Sequence, residues 1–309
     1  MIVITAGDPC GIGPEVTLKA LHALRSRPAL PVTVIGDAEV FARTMAATRR
    51  RLPSWVRFCS VDNRRTAFRP GRSSAAAGAA SLAYLDRAME WWRAGQVHAL
   101  VTAPVTKWAI AKTQPDFVGH TEYLAKATRT RAVVMMFVSD DLRVAVLTRH
   151  IPLRSVSAAI TRRLLHEALE LTAEGLRSRF GIRHPRLAMC GLNPHAGEGR
   201  PASEERRVIE PVLRLLRRRG IRCDGPFAAD GFFASARNYD AVICAYHDQG
   251  LIPFKMAARD RGCQMTVGLP ILRTSPDHGS ALDIAGRGIA DPGSMEYALR
   301  LALRLARSC

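Results

Sequence analysis

Three histidines occupy similar places in the chain, each just after an apolar run. His150 follows "RVAVLT" and an arginine, His195 lies in "CGLNPHAGEG" after "RLAMC", and His247 follows "AVICAY". In a parallel sheet, residues beyond the carboxyl ends of neighbouring strands collect at one edge, where ligands bind. Three imidazoles there would form a site for Zn²⁺ or a similar divalent ion, with positions left for substrate. Each histidine alone is more typical of a surface or hydrogen-bonded residue than of a ligand, so this prediction depends on all three.

A second stretch with unusual chemistry is "RTSPDHGSALDIAGRGIADPGS", residues 273–294, which is dense in glycine, aspartate and small residues. Asp283 could accept hydrogen bonds from a ribose diol, as acidic residues do in nicotinamide-dinucleotide sites. Gly279, Gly286 and Gly288 would let a nucleotide lie against the backbone. The segment therefore predicts a dinucleotide cofactor.

Two other stretches carry weaker signals for anion binding. The glycine turn in "AGDPCGIGPE" (6–15) precedes a predicted helix, whose N-terminus could hold an anion. Its spacing is not GxGxxG, and a tight turn without a ligand explains it equally well. His120 and Thr121, at the start of a predicted helix in "GHTEYLA", could meet an anion or only cap the helix.

Short apolar runs alternate with longer amphipathic stretches along the chain. The runs predict strands at 2–6, 32–36, 97–102, 132–138, 142–148, 186–190, 240–246 and 264–268. The amphipathic stretches predict helices at 14–25, 38–47, 74–94, 120–128, 161–180, 203–219 and 293–307. This alternation predicts an α/β fold with a mostly parallel sheet.

Composition limits the class of protein. The chain has 309 residues, enough for two domains, and is 48% hydrophobic. It contains no apolar run of about 18 residues and begins without a secretory signal, so we expect no membrane span. The seven cysteines are scattered without a CxxC pair, which favours a cytoplasmic, disulfide-free protein. The net charge of +18 could indicate nucleic-acid binding, but no nucleic-acid motif accompanies it.

Motifs along nearly the whole chain resemble those of one family. They are "GDPCGIGPE", "TAPVTK", "GHTEYLA", "LTRHIPL", "NPHAGEG", "YHDQGLIPFK", "VGLPILRTSPDHGS" and "DIAGRGIAD". Their order and content resemble the 4-hydroxythreonine-4-phosphate dehydrogenases of vitamin B6 biosynthesis. "HGSALDIAGRGIADP" is similar to the adenosine-binding signature of the wider isocitrate/isopropylmalate dehydrogenase superfamily.

The resemblance implies an α/β, two-domain isocitrate/isopropylmalate dehydrogenase-like fold with a mostly parallel sheet. We expect an outer domain of residues 1–118 plus 275–309 that carries the adenosine-binding segment. Residues 119–274 are expected to form a central domain with the metal ligands and the dimer interface. The family uses NAD and a divalent metal ion (Zn, Mg or Co), and it forms homodimers with the active site at the interface.

The resemblance also assigns roles to individual residues. It implies metal ligands shared across the dimer, with His150 from one chain and His195 and His247 from the other. The implied substrate contacts are His120, Thr121, Lys255, Gln264 and Arg273. The implied cofactor contacts are His278, Gly279, Asp283 and Gly286. Lys255 or Asp248 could be the general base. Gln264 and Thr106 stand where the family usually has asparagine, which leaves the exact substrate open.

The implied reaction is the oxidation of 4-(phosphooxy)-L-threonine by NAD⁺ to a β-keto acid, which decarboxylates to 3-amino-2-oxopropyl phosphate in pyridoxal 5'-phosphate biosynthesis. One alternative is a paralogous catabolic dehydrogenase that acts on 4-phosphothreonate, 4-phosphoerythronate or a cis-dihydrodiol. A more distant alternative is a basic nucleic-acid-binding protein on a retired dehydrogenase fold. We do not expect the latter, because such a protein would need neither the three histidines nor Asp283.

Overall fold

The structure, a computed structural model, describes residues 1–24, 26–61 and 67–306. The chain forms two compact units: unit 1 is Met1–Arg129 with Leu269–Cys309, and unit 2 is Thr130–Gly268. Arg25 and Arg307, the last residues of two predicted helices, lie outside the described residues, as does Cys309. The chain therefore leaves unit 1 once, forms unit 2, and returns.

Unit 1 is built on five parallel strands in the order β3-β2-β1-β4-β11. These are β1 (Ile2–Thr5), β2 (Val32–Gly36), β3 (Val56–Ser60), β4 (Ala99–Thr102) and β11 (Leu272–Ser275). Its helices are α1 (Gly13–Ala23), α2 (Ala38–Thr48), α3 (Ala75–Arg93), α4 (Lys107–Ala111), α5 (His120–Ala127) and α11 (Gly293–Leu305). β1 and β4 are buried at every residue, as expected for parallel strands covered on both faces.

Unit 2 is built on six strands in the order β10-β5-β6-β9-β7-β8. They are β5 (Val134–Ser139), β6 (Arg143–Thr148), β7 (Arg186–Cys190), β8 (Arg222–Phe227), β9 (Ala241–Tyr246) and β10 (Gly262–Val267). Its helices are α6 (Val156–Ala159), α7 (Arg162–Phe180), α8 (Glu210–Arg218), α9 (Ala229–Phe232) and α10 (His247–Ala258). Shorter helical turns cover Leu153–Ser155, Pro194–Gly199, Glu205–Ile209 and Phe233–Asn238. β5 runs antiparallel to β10 and β6, and the remaining pairs are parallel.

The predicted α/β alternation with a mostly parallel sheet is confirmed. Helices α2 and α3 each begin at a polar side chain that caps them: Asp37 accepts from Val40 N, and Ser74 accepts from Ala77 N. Three strands were not predicted, namely β3, β8 and β11. β3 and β8 are edge strands with weak apolar patterns, and β8 contains Gly225 and Pro226, which are unusual inside strands.

The boundaries of the two units differ from the predicted limits of the central domain, 119–274. β11 pairs with β4, which places Arg273 in unit 1. Helix α5 also belongs to unit 1, so His120 and Thr121 lie there as well. The predicted substrate residues are thus divided, because Lys255 and Gln264 remain in unit 2 with the three histidines.

Two expectations from composition can be compared with the structure. The six cysteines in the described part of the chain are free, and five of them are buried. Within residues 1–24, 26–61 and 67–306, no helix is both long and apolar enough to cross a membrane. The cytoplasmic location stays a prediction.

Candidate active site

His150 and His247 lie close together in unit 2. Strands β6 and β9 are parallel neighbours, and Thr148 is aligned with Tyr246, so the two chain segments leave the sheet side by side. The imidazole ring centroids are 5.8 Å apart with an interplanar angle of 41°. His150 has a left-handed backbone, φ 46°, which a non-glycine residue adopts only when its surroundings hold it there. The adjacent strand ends therefore bring two imidazoles to one point.

A carboxylate orients His247. Its Nδ1 lies 2.7 Å from Asp248 Oδ1, which leaves Nε2 as the nitrogen available to a ligand. The Phe137 ring stands edge-on to the imidazole, with centroids 6.5 Å apart. A carboxylate on the far nitrogen is the usual arrangement for a metal-binding histidine, because it sets the tautomer and raises basicity. Asp248 therefore orients His247, a role that is additional to its predicted one as a possible general base.

His195 lies in a strained loop that follows β7. Residues 195–198 all have left-handed backbones, with φ 51° at His195. Each non-glycine residue of this kind costs on the order of 1–3 kcal/mol, and such strain concentrates at functional sites. In the part of the chain that the structure describes, no group of three His, Cys, Asp or Glu side chains is arranged to hold a metal ion. A single chain thus brings together two of the three predicted ligands.

Arg273 forms the centre of a cationic cluster in unit 1. Its side chain is 3% exposed, and its Nε and Nη2 donate to Thr102 Oγ1 at 3.1 and 2.7 Å. Lys107, the first residue of α4, extends over Gly119; its amine lies 3.7 Å from where a Cβ would stand at that glycine. A buried guanidinium and an exposed ammonium that both act on His120 are suited to a phosphate or carboxylate, since the anion offsets the desolvation of Arg273.

His120, the first residue of α5, is neutral in this setting. Burial, together with the positive charges of Arg273 and Lys107, holds the pKa of His120 well below its ordinary value. A third cation would be repelled there, whereas a neutral imidazole can donate one hydrogen bond and accept another. His120, Lys107 and Arg273 therefore make a site that is cationic but also offers a neutral hydrogen-bonding group.

The predicted cofactor segment packs directly on the glycine turn after β1. Ser280 accepts from Ile12 N at 2.9 Å through its carbonyl, and its hydroxyl lies 2.9 Å from Thr106 Oγ1. A Cβ at Gly11 would lie 2.8 Å from the Ser280 carbonyl oxygen, so only glycine allows this approach. Gly286, also predicted to touch cofactor, packs on Pro70. The glycines are needed for contact between chain segments, whether or not a nucleotide also uses them.

The far end of the same segment is attached to α1 by an ion pair. Lys19 Nζ donates to Glu15 Oε1 at 2.8 Å and to the carbonyl oxygens of Gly288 and Ala290 at 3.0 and 2.7 Å. Glu15 Oε1 also accepts from Ala290 N at 2.8 Å. Glu15 is buried, so this bonded pair fixes the segment between the predicted cofactor residues and α11.

The residues predicted to touch cofactor directly stand on a partly open surface. Gly279, Asp283 and Gly286 are exposed. His278 Nδ1 lies 3.0 Å from the Gly279 carbonyl oxygen, while its Nε2 is buried and has no hydrogen-bond partner among the described residues. A buried polar atom without a partner is costly, which indicates a place for a ligand group.

Gln264 and Lys255 lie away from the histidine pair. Gln264 is on β10, which β5 separates from β6 in the sheet, and Lys255 is further along α10. Gln264 is buried on β10, and its Nε2 donates to Thr266 Oγ1 at 3.1 Å. Lys255 is exposed on α10, eight residues after His247, or about 12 Å along the helix axis at ~1.5 Å per residue. Gly250, also on α10, is buried, and a Cβ there would lie 2.6 Å from Val144 Cγ1.

Three groups near these sites were not predicted. Lys107 could have been found from the sequence, because it closely follows a predicted strand in "TAPVTK", where ligand-binding residues collect. Asp8 is fully buried and accepts from Cys10 N and Ser73 Oγ at 2.8 and 2.6 Å. Glu205 is buried behind the His195 loop, in a stretch that looks like an ordinary charged helix start. Nothing in the local pattern distinguishes such acids from exposed ones.

Comparison with known proteins agrees with the resemblance of the motifs. The family model of the pyridoxal phosphate biosynthetic protein PdxA matches residues 23–302. A curated 4-hydroxythreonine-4-phosphate dehydrogenase from Aromatoleum aromaticum is 46% identical over 313 residues, covering 98% of this chain and 95% of the relative. A crystal structure with the same enzyme name, from Klebsiella pneumoniae, superposes with a TM-score of 0.86 at 34% identity and covers 99% of both chains.

Two structures of dehydrogenases with other names also resemble this chain. A terephthalate 1,2-cis-dihydrodiol dehydrogenase from Burkholderia xenovorans superposes with a TM-score of 0.67 at 33% identity, covering 98% of this chain and 97% of that one. An isocitrate dehydrogenase from Methylococcus capsulatus has a TM-score of 0.50 at 17% identity, covers 98% of this chain and 84% of that one, and so shares the fold alone. The predicted isocitrate dehydrogenase-like fold is confirmed, and the chain belongs to the PdxA family of 4-hydroxythreonine-4-phosphate dehydrogenases, enzymes of pyridoxal phosphate biosynthesis.

Proposed function

We propose that the chain oxidises 4-(phosphooxy)-L-threonine with NAD⁺ and a divalent metal ion, and that the β-keto acid formed loses CO₂ to give 3-amino-2-oxopropyl phosphate. The observation that carries the substrate class is the buried Arg273 with Lys107 and a neutral His120. Two cations suit the phosphate or carboxylate of the substrate, and the imidazole can bind a hydroxyl or amine. Thr121, buried at the start of α5, is proposed as a further contact.

The histidine pair supports the proposed metal site. Nε2 of His247 is left available by the hydrogen bond to Asp248, and the His150 ring stands beside it. Two imidazoles fit Zn²⁺ or Co²⁺ better than Mg²⁺, which prefers oxygen ligands. When bound, the ion would polarise the substrate hydroxyl and lower its pKa. His150, His195 and His247 are the proposed ligands.

The proximity of His150 and His247 changes the expected division of ligands between subunits. The His150 and His247 rings of the same chain lie side by side. The family resemblance instead implied that each metal ion takes His150 from one subunit and His247 from the other. We propose that this pair comes from one chain and that the third ligand is the partner subunit's His195. On α10, Ile252 and Met256 are one turn apart and are 59% and 76% exposed. Exposed apolar side chains at this spacing support a homodimer.

The proposed reaction needs a group of this chain to accept a proton and NAD⁺ to accept a hydride. Oxidation removes the hydroxyl proton to a base and the C–H electron pair, as hydride, to NAD⁺. Asp248 already holds His247, so we propose that Asp248 orients the ligand. Because Lys255 lies about 12 Å along α10 from His247, we propose that it contacts an anionic end of the substrate, or acts as the base through water. The β-keto acid loses CO₂ because its carbonyl accepts the electron pair, and a proton replaces the carboxyl group.

The cofactor segment supports NAD. His278 Nε2 is buried and without a hydrogen-bond partner in the described part of the chain, as a position for a nucleotide group would be. Asp283 lies near His278 in the sequence and is exposed, and we propose that it binds the ribose diol. Gly279 and Gly286 are proposed to lie beside the nucleotide.

A second candidate function is the oxidation of a cis-dihydrodiol. It is favoured by the likeness to the terephthalate 1,2-cis-dihydrodiol dehydrogenase. That enzyme is 33% identical to this chain, against 34% for the 4-hydroxythreonine-4-phosphate dehydrogenase from Klebsiella pneumoniae, but its TM-score is lower, 0.67 against 0.86. The phosphorylated catabolic substrates, 4-phosphothreonate and 4-phosphoerythronate, would fit the same cationic cluster and remain open.

Metal dependence can be tested directly. Enzyme stripped with a chelator should form no NADH from 4-(phosphooxy)-L-threonine and NAD⁺. Addition of Zn²⁺ or Co²⁺ should restore NADH formation, and mass spectrometry should identify 3-amino-2-oxopropyl phosphate. Full activity in the stripped enzyme, with metal content checked by elemental analysis, would contradict the proposed role of the histidines.

Cofactor choice follows from Asp283. A carboxylate that binds the ribose diol repels a 2′-phosphate, so kcat/KM should be higher with NAD⁺ than with NADP⁺ by about 10²-fold, a difference of ~3 kcal/mol. The Asp283→Ser variant should reduce this preference. Equal use of both cofactors by the unmodified enzyme would show that Asp283 does not bind the ribose.

Gln264 is expected to influence substrate choice and not metal binding, because it lies on β10 away from the histidine pair in the sheet order. Replacement by the shorter asparagine, usual in the family, should change KM or the ranking of phosphorylated substrates while metal content stays constant. Kinetics identical to those of the unmodified enzyme across such substrates would show that this difference has no effect.

A further inference from the structure

Glu205 is a buried carboxylate that accepts three hydrogen bonds from the loop that carries His195. It is 1% exposed. Its Oε1 accepts from the backbone N–H groups of Leu192 and Asn193, each at 2.8 Å, and its Oε2 accepts from Asn193 Nδ2 at 2.9 Å. Burial alone would raise the pKa of Glu205, but the hydrogen bonds from Asn193 and Leu192 outweigh it and lower the pKa. The group is therefore a buried anion held by loop donors.

The loop is wrapped closely around this carboxylate. A Cβ at Gly197 would lie 2.5 Å from Glu205 Oε2, and a Cβ at Gly191 would lie 3.2 Å from Oε1. Between these glycines the chain passes through His195 with its left-handed backbone. At the start of the loop, Gln249 Nε2 donates to the Gly191 carbonyl at 2.7 Å. The strained conformation at His195 is thus held by contacts on both sides of it.

We propose that Glu205 is the positioning residue for His195: its carboxylate holds the 191–199 loop in the strained form that presents the imidazole to the metal ion. The proposal depends on the proposed function, in which His195 is a ligand. Three donors converge on Glu205, and a strained backbone persists only when its surroundings hold it in place. Without the carboxylate, the loop would relax and the imidazole would move.

Glu205→Gln tests the proposal with almost no change of shape. The glutamine oxygen can still accept from Leu192 and Asn193, but its NH₂ group would face the NH₂ group of Asn193, so one bond becomes a repulsion between donors. Loss of a residue that orients a ligand lowers metal affinity by about 10–100-fold. Glu204→Gln is the matched control, because Glu204 also accepts from Asn193 Nδ2, at 2.8 Å, but its other partner is Ser157, outside the loop.

The experiment measures Co²⁺ binding by the metal-free full-length enzyme, from calorimetry and the visible d–d absorption. Glu205→Gln should bind Co²⁺ about 10–100-fold more weakly with an altered spectrum, while Glu204→Gln should resemble the unmodified enzyme. Asn193→Ala, which removes one donor to Glu205 and leaves the backbone bonds, should show a smaller loss. The thermal unfolding midpoint without metal reports any general loss of structure.

The outcomes separate the two proposals. Unmodified Co²⁺ affinity and spectrum in folded Glu205→Gln would overturn the positioning role; if that variant does not fold, unmodified affinity in Asn193→Ala would do so. The His195→Ala variant tests the ligand assignment itself. If His195→Ala loses affinity and Glu205→Gln does not, only the positioning role fails. If His195→Ala binds as tightly as the unmodified enzyme, the proposed metal site fails as well.

Discussion

The His247→Ala and His150→Ala variants should each lose about 10³-fold or more in kcat/KM, comparable to or larger than the loss of one preorganised electrostatic group from an active site. Each removes one imidazole of the pair whose centroids are 5.8 Å apart. The measurement is NADH formation with added Zn²⁺ or Co²⁺, together with metal content after dialysis. His184→Ala is a control, since that histidine lies between α7 and β7 and is exposed.

Mixing inactive variants tests how the ligands are divided between subunits. If His150 and His247 belong to one chain and the third ligand is the partner subunit's His195, a mixture of His150→Ala with His247→Ala should stay inactive. A mixture of His195→Ala with His247→Ala should recover about a quarter of full activity, because half of randomly paired dimers are mixed and each has one intact site. Recovery in the first mixture, with exchange shown by native mass spectrometry, would contradict this division.

Arg273→Met should weaken use of the phosphorylated substrate by about 2–5 kcal/mol, or roughly 30- to 5,000-fold in kcat/KM, as expected when one partner of a desolvated charge pair is removed. The reason is its burial beside Thr102 and its charge near His120. Arg87→Met is the control, because Arg87 is half-exposed on α3 and its pair with Glu90 is at the surface.

Comparing phosphorylated with dephosphorylated substrate assigns the anion that Arg273 binds. If Arg273 contacts the phosphate, Arg273→Met should affect 4-(phosphooxy)-L-threonine far more than 4-hydroxy-L-threonine. An equal loss on both compounds would assign Arg273 to the carboxylate or to the stability of the site, which thermal unfolding would distinguish. A loss no larger than that of Arg87→Met would remove Arg273 from the substrate site.

The sequence predicted the repeating α/β pattern because parallel strands buried on both faces are nearly continuous apolar runs. It also placed His150 and His247 just past two such runs. Their proximity, however, depends on β6 and β9 being neighbours in register, which is a property of tertiary pairing and not of local pattern. The edge strands β3 and β8 were missed because edges tolerate polar residues, glycine and proline.

Other features could not be predicted from the sequence because they depend on contacts between residues far apart in the chain. The expected domain boundary at 119–274 was displaced because β11 pairs with β4 after a long return of the chain. Glu205 and Asp8 read as ordinary polar residues, and only burial with several donors distinguishes them. The low pKa of His120 likewise depends on its burial and on two cations brought near it by the fold.

The measurement that most directly tests the proposed reaction is a comparison of kcat/KM for NADH formation with 4-(phosphooxy)-L-threonine, 4-phosphothreonate, 4-phosphoerythronate and a terephthalate cis-dihydrodiol, all with NAD⁺ and saturating Zn²⁺ or Co²⁺. The cationic cluster around Arg273 and the oriented histidine pair predict that 4-(phosphooxy)-L-threonine has the highest value and yields 3-amino-2-oxopropyl phosphate with CO₂. A higher value for the dihydrodiol, or no NADH from any phosphorylated substrate in metal-loaded enzyme, would contradict it.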